Sequence, residues 1–336
     1  MNIRKNLIIF NNIFSLNQLI KLTSQRIFLP FYHTISDERL PHISNLYPLR
    51  NRKLFEEDLD YLCKYFEPIS IDDLYSIINE NKPIPKPVFH LTFDDGLKEV
   101  YFNIAPILER KGIPATIFIN TDFVDNKALF YRYKVSLLIE NIRFINRYTK
   151  EIAKTLAIDT QDNKAIIAEL LSINYNDISK IDSLAKILNI NFEKYLLEFK
   201  PYLTYNQVND LLKRGFNIGS HSASHPFFKD IDEKERKIQV NESFMYIEKN
   251  FNVQKRYFSF PFSDEGIEIP FFQWLYENQR CNLSFGISGL KSDFTKFHLH
   301  RTPFESSTQK AKDIVKSEYF YYLVKSFFNK NKITRQ

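Results

Sequence analysis

The run Val88-Phe89-His90-Leu91-Thr92-Phe93, followed at once by Asp94-Asp95-Gly96, restricts the fold more than any other stretch of the chain. Val88, Phe89, Leu91 and Phe93 predict a short buried strand, with His90 as its polar break. The strand stops at two adjacent carboxylates and a glycine. Parallel α/β folds present their chemistry in this way, on side chains delivered at the C-terminal ends of buried strands. Adjacent aspartates repel when both are ionised, and a bound cation or a division of acid–base labour would relieve them. The plainer reading is an aspartate capping the next helix, with Gly96 in the turn.

A second stretch tips the balance toward chemistry. Ser220-His221-Ser222-Ala223-Ser224-His225-Pro226 lies far downstream. Two histidines four residues apart, bracketed by small side chains, suit two imidazoles converging on one ion. Their plainer reading is a pair of loop histidines hydrogen-bonded to backbone.

With 336 residues the chain can bury a full core, as one large α/β domain or as one with a sizeable insertion. Its 32 Phe and 19 Tyr predict a ring-rich core, and a groove with aromatic faces of the kind that binds saccharides. The net charge of +6 is dispersed with no basic stripe, which argues against a nucleic-acid partner. Cys63 and Cys281 suggest neither a metal knuckle nor a redox pair and fit a reducing compartment, or at most one optional bridge. Arg4 and Lys5 precede Leu7-Ile8-Ile9-Phe10, but Asn11 and Asn12 break the run before it reaches signal-peptide length. No run of about 18 apolar residues occurs, so no transmembrane segment is expected. These features predict a cytoplasmic protein.

Along the chain, residues 1–26 predict a helical N-terminal extension, and Ile27 to His33 a first strand. Helical spacing follows over Phe55–Phe66 and Ile71–Asn79, and Pro83, Pro85 and Pro87 stiffen the approach to the central strand. A helix over about Lys98–Arg110, closed by Gly112, and a strand over Ala115–Ile119 complete a parallel crossover. Residues 127–203 change character to periodic Ile and Leu among Lys, Glu and Asn, predicting an inserted helical subdomain. The frame resumes over 204–305, with a helix capped by Thr204, a strand into the histidine cluster, a helix over Asp232–Asn250 and further strands at Tyr257–Phe262, Leu283–Ile287 and Phe297–Thr302. Residues 306–336, rich in Tyr, Phe and Lys, predict a C-terminal helix packed on the frame. Weak docking of that tail on a membrane surface is the lesser alternative.

Taken together these residues resemble the polysaccharide deacetylases, a group of carbohydrate esterases (family 4) that includes chitooligosaccharide deacetylases. Thr92-Phe93-Asp94-Asp95-Gly96 is similar to the family's first motif and His221-Ser222-Ala223-Ser224-His225 to its second. Phe258-Ser259-Phe260-Pro261-Phe262 resembles the third more loosely. The likeness covers roughly residues 27–125 and 203–305. It implies an α/β fold, a distorted (β/α) barrel, with residues 27–126 and 204–305 as the barrel and the site at the strand C-termini.

The resemblance also implies roles. Asp95, His221 and His225 would hold a divalent metal, zinc foremost, and Asp94 would be the base for water attacking the acetyl group of an N-acetylated saccharide. The backbone N–H of Phe262, following Pro261, would hold the oxyanion. The acid that protonates the leaving amine departs from the family pattern: in Phe297-His298-Leu299-His300-Arg301, His300 is favoured, with His298 and the strand-end His33 as rivals. Where many members place an arginine two residues before the motif's proline, this chain has Ser259, and Arg301 could replace it from a neighbouring strand. His33 would otherwise serve as a pocket wall. An O-acetyl esterase and a catalytically weak glycan-binding barrel are the alternatives.

Overall fold

The computed structural model describes residues 14–142, 149–305 and 309–335. Its strands are β1 (Ile27–Phe28), β2 (Pro30–Tyr32), β3 (Glu67–Pro68), β4 (Val88–Phe89), β5 (Leu91–Phe93), β6 (Ala115–Ile119), β7 (Asn217–Ser220), β8 (Tyr257–Ser259), β9 (Leu283–Gly286), β10 (His298–His300) and β11 (Thr302–Pro303). The main sheet runs β10-β9-β8-β7-β6-β5-β2-β11, with every neighbouring pair parallel. Its two edges are consecutive pieces of one segment. Arg301 N–H donates to Gly286 O at 3.0 Å on one side, and Thr302 N–H to Leu29 O at 2.8 Å on the other. The sheet therefore bends into a nearly closed barrel sealed at residue 301, with helices outside it.

Two predicted strands are each broken in two. His90 is fully buried, its Nδ1 2.8 Å from Ile69 O and its Nε2 2.9 Å from Thr116 Oγ1, and it separates β4 from β5. Pro30, which has no N–H to give a ladder, begins β2 after the short β1. β4 pairs with β1 on one side and β3 on the other in a small three-stranded sheet at the base, while β2 and β5 enter the barrel. Phe28, Tyr32, Phe55, Phe89, Phe93 and Tyr319 meet in the main core cluster, so part of the aromatic excess is packing.

The helices Arg52–Tyr65 and Ile71–Asn79 start where Asn51 and Ser70 accept from the Leu54 and Asp73 N–H groups. The helix expected over 98–110 opens as a wide turn over Val100–Ile104, with Ala105 N–H reaching back to Val100 O, and is α-helical from Ala105 to Lys111. Glu233–Phe251 follows the Asp232 cap. Ile269–Tyr276, which the sequence pattern did not reveal, is a further helix with proline in its first turn.

Between Asn126 and Thr204 come the helices Tyr131–Ile142, Thr149–Leu156, Asn163–Ser172, Ile178–Ile187 and Phe192–Phe199. Leu138, Ile152, Ile166, Leu170, Ile181 and Leu184 form a second core cluster there. Leu40, Ile43, Leu97 and Phe123 join it from the barrel side, so these helices are packed onto the barrel. In the N-terminal extension the helix is Leu16–Thr23, and residues 1–13 lie outside the described residues. The C-terminal helix is shorter than predicted, Ala311–Phe327, because the chain leaves it and Ile333 N–H pairs with Ser292 O at 2.9 Å. Among the described residues no helix is long and apolar enough to cross a membrane.

Candidate metal and catalytic site

β5 ends at Phe93, immediately before Asp94 and Asp95, and β7 ends one residue before His221. The small residues around the histidines build the loop that turns them inward. Ser220 Oγ accepts from Ser222 N–H at 3.1 Å, Ser222 Oγ from His225 N–H at 3.0 Å, and Gln239 Oε1 from Ser224 N–H at 2.9 Å. Asp95, Ser222, His225 and Phe262 all have positive φ, at 69°, 67°, 59° and 59°. Such left-handed backbone at non-glycine residues costs roughly 1–3 kcal/mol each and concentrates at functional sites.

His221 Nε2 and His225 Nε2 lie 3.1 Å apart, and 3.5 Å and 3.3 Å from Asp95 Oδ1. The His221 Nδ1–H donates to Ser259 O at 2.8 Å, which fixes the tautomer and leaves the Nε2 lone pair facing inward. Burial, against the pull of Asp94, lowers His221 to about 4, so the ring is neutral at pH 7 and its approach to Asp95 is not an ion pair. Burial would raise the Asp95 carboxyl, but His225, His33 and His221 hold it far below the usual carboxylate range. Asp95 Oδ1 is buried with no hydrogen bond to satisfy it. Two imidazoles and an orphaned carboxylate oxygen make a donor set for a divalent cation. Four-coordinate bonds of about 2.1 Å would separate ligands by roughly 3.4 Å. The residues present fit the ion.

Asp94 stands beside this group, its Oδ2 3.9 Å from His221 Nε2. Arg301 grips it with both arms, Nη1 to Oδ1 at 2.8 Å and Nη2 to Oδ2 at 2.7 Å. The same guanidinium donates to Thr92 Oγ1 at 2.9 Å and Ser259 Oγ at 2.6 Å, and is fully buried. Burial would raise the Asp94 carboxyl; Arg301 and then His221 more than offset it and hold it below its ordinary value.

A cavity of about 360 Å³ opens over these groups, lined by both aspartates, both histidines, His33, Tyr47 and Phe262 among others. A larger one of about 690 Å³, between residues 263–268 and the C-terminal segment, contains neither histidine. The smaller is the candidate site because the ionisable groups converge there. In its wall the Phe262 ring packs on His225 with centroids 4.7 Å apart, and Pro261 is buried behind it. His33 stacks on Tyr47 at 4.8 Å, its backbone N–H donates to Glu305 Oε2 at 2.9 Å, and its ring Nδ1 meets Glu305 Oε1. Burial would lower the His33 pKa, but Glu305 raises it to about 9.

His300 lies elsewhere, buried and outside the lining of this cavity. Its Nε2 is 3.0 Å from Asp293 Oδ2, while His298 Nε2 is 3.3 Å from Asp264 Oδ2. Arg335 sits on both carboxylates, 2.6 Å from Asp293 Oδ2. These four residues could each offer a ligand atom to one ion, yet a guanidinium already occupies the carboxylates. Glu305, Tyr133, Phe130 and Tyr47 also border the site and carried no local sequence signal. Tyr133 donates its hydroxyl to Asp95 Oδ2 at 2.7 Å from within the helical insert.

Fold and site together define a parallel (β/α) barrel whose strand ends carry a two-aspartate, two-histidine centre. A model of the polysaccharide deacetylase family matches residues 81–269, more than half of the chain, and the chain belongs to this family of hydrolases. The Streptococcus pyogenes deacetylase PplD in complex with acetate is similar in structure, with 14% identity, 87% of this chain and 97% of that chain covered, and a TM-score of 0.56. IcaB from Ammonifex degensii shows 12% identity, coverage of 88% and 97%, and a TM-score of 0.54. BC0361, a polysaccharide deacetylase from Bacillus cereus, shows 16% identity, coverage of 88% and 69%, and a TM-score of 0.51. At these identities the likeness establishes the fold. No curated protein matches the chain. The family match contains Asp94, Asp95, His221, His225 and Phe262, and leaves His33, His300, Arg301 and Glu305 outside.

Proposed function

We propose that this protein removes N-acetyl groups from an amino sugar or its polymer, using a divalent cation held by Asp95, His221 and His225. Two histidines and a carboxylate make zinc the foremost candidate. One observation carries the reading: an ionised carboxylate, Asp94, is locked beside an orphaned three-donor cluster inside a single cavity.

Bound at these donors, the cation supplies Lewis acidity, polarising the acetyl carbonyl and making water a stronger nucleophile. Asp94 accepts the proton that the attacking water gives up. Arg301 keeps Asp94 ionised and fixes the plane of its carboxylate, since a two-armed guanidinium contact leaves no rotational freedom. The Phe262 N–H, which meets no described acceptor, donates to the oxyanion as charge develops on the acetyl oxygen.

His33 delivers the proton to the leaving nitrogen. It lines the cavity, Glu305 takes its Nδ1–H, and Nε2–H remains for the substrate. His300, favoured from sequence, faces Asp293 and Ser288 instead, so the strand-end rival has the better position. The test is Asp94→Asn on an N-acetylated oligosaccharide. Acetate release falls about 10²–10⁴-fold while one metal ion per chain is retained. Undiminished acetate release by that variant would overturn the proposal.

A further inference from the structure

The helix Tyr131–Ile142 opens the set of helices that interrupts the barrel, and its first turn reaches the candidate metal centre. Tyr133 is fully buried, and its hydroxyl donates to Asp95 Oδ2 at 2.7 Å. The neighbouring Phe130 ring covers His225, with centroids 4.3 Å apart. Both contacts fall on residues assigned above as ligands.

Other contacts hold this turn in place. The Tyr133 ring stacks with Tyr202 at 6.1 Å and meets Phe130 edge-on at 5.1 Å and His42 at 5.2 Å. Phe130 N–H donates to the Tyr202 hydroxyl at 3.0 Å, and Ser136 Oγ to Pro41 O at 2.6 Å. The phenol cannot leave Asp95 without repacking this aromatic group.

A carboxylate has two equivalent oxygens and could bind an ion through either or through both. Here the two differ. Oδ2 accepts a hydrogen bond from the phenol, while Oδ1 has no hydrogen-bond donor and faces both histidine nitrogens, at 3.5 Å and 3.3 Å. We infer that Tyr133 is a positioning residue of the metal centre: it holds Asp95 so that Oδ1 alone faces the ion, which makes the helical insert part of the site. Partners that orient a ligand in this way typically contribute 10–100-fold to metal affinity.

This inference rests on the metal reading proposed above, and its test separates the two. Full-length wild type, Tyr133→Phe and Tyr202→Phe are stripped of metal and titrated with zinc against a chromophoric chelator. Each is then loaded with cobalt(II) for its visible absorption spectrum. Tyr133→Phe removes one oxygen and keeps the ring in its stack; Tyr202→Phe removes a hydroxyl from the same stack, and with it the Phe130 N–H bond that helps seat the turn, without touching Asp95, so it reports the effect of packing alone. The expected result is a zinc affinity lowered 10–100-fold and an altered cobalt spectrum in Tyr133→Phe, with Tyr202→Phe matching wild type in both. Tyr133→Phe binding zinc within twofold of wild type with an unchanged cobalt spectrum would overturn the positioning role. Equal losses in both variants would overturn it too, by making the effect one of packing. Failure of wild type itself to bind zinc or cobalt would instead bring down the metal reading, and this inference with it.

Discussion

Replacing Arg301 by methionine tests the arrangement around the base most directly. The guanidinium is fully buried and makes four hydrogen bonds, two to Asp94 and one each to Thr92 and Ser259. Methionine keeps much of the volume and removes the charge, leaving Asp94 buried and without its cation. Removing one partner of a buried pair costs about 3–5 kcal/mol. At about 2 °C per kcal/mol for a chain this long, Tm should fall by roughly 6–10 °C at pH 7. The pH dependence has a definite sign. In wild type the Asp94 pKa is depressed, so its stabilising contribution is present above the ordinary carboxylate value and is lost as pH falls through the lowered one. In R301M, burial loses its main opponent and raises that pKa. The ionised carboxylate then opposes folding at neutral pH, and protonation relieves it, so the Tm gap to wild type narrows between about pH 7 and pH 5. The acid limb of acetate release should move upward as well, because a protonated base cannot accept a proton. Thermal unfolding by circular dichroism and acetate release across pH 4–9 measure both effects. A variant with the wild-type pH profile and an unchanged Tm would refute the argument.

Four further outcomes follow from the same geometry. His33→Gln should lower acetate release from N-acetyl substrates about 10²–10⁴-fold but spare an aryl acetate, whose leaving group needs no proton; that selective loss appearing in His300→Gln, with His33→Gln unimpaired, would return the acid role to His300. His33, raised to about 9, contributes stability in full below about pH 6.5 and loses it as pH climbs through about 9. Glu305→Gln should therefore bring the alkaline limb of the rate profile down from about 9, as read from kcat against pH. Treatment with a chelator should abolish acetate release, and added zinc should restore it. Gly286→Ala should destabilise by about 1–3 kcal/mol in thermal unfolding, since its Cβ would collide with Asp264 Oδ1 and come 2.6 Å from His300 Nδ1.

The parts of the site legible in the sequence were those written locally. A strand ending in Asp94-Asp95-Gly96 and two histidines four residues apart each announce themselves within a few residues, because strand ends and short loops fix side-chain direction locally. The barrel frame was legible for a similar reason, since strand and helix signals alternate along 88–119 and 204–303. The remaining partners meet through the barrel, far apart in the chain. Arg301 reaches Asp94, and Glu305 reaches His33, across more than 200 residues. Nothing near Glu305 marks it as a histidine partner. Tyr133 was hidden in another way: its helix read as an insertion outside the frame, and only packing through Phe123 and Tyr202 brings it to Asp95. The break between β4 and β5 is not legible as such because one buried imidazole, His90, satisfies both ring nitrogens inside the sheet, which no apolar pattern reveals.

The seam at residue 301 has a consequence for how the molecule loses function. The peptide N–H groups of 301 and 302 belong to opposite rims of the sheet, and the side chain between them clasps the residue proposed to take the proton. Any loosening that parts the rims drags the guanidinium off its carboxylate in the same movement. Inactivation should thus run ahead of melting: a slightly sprung barrel would fall silent before it spilled its aromatic interior.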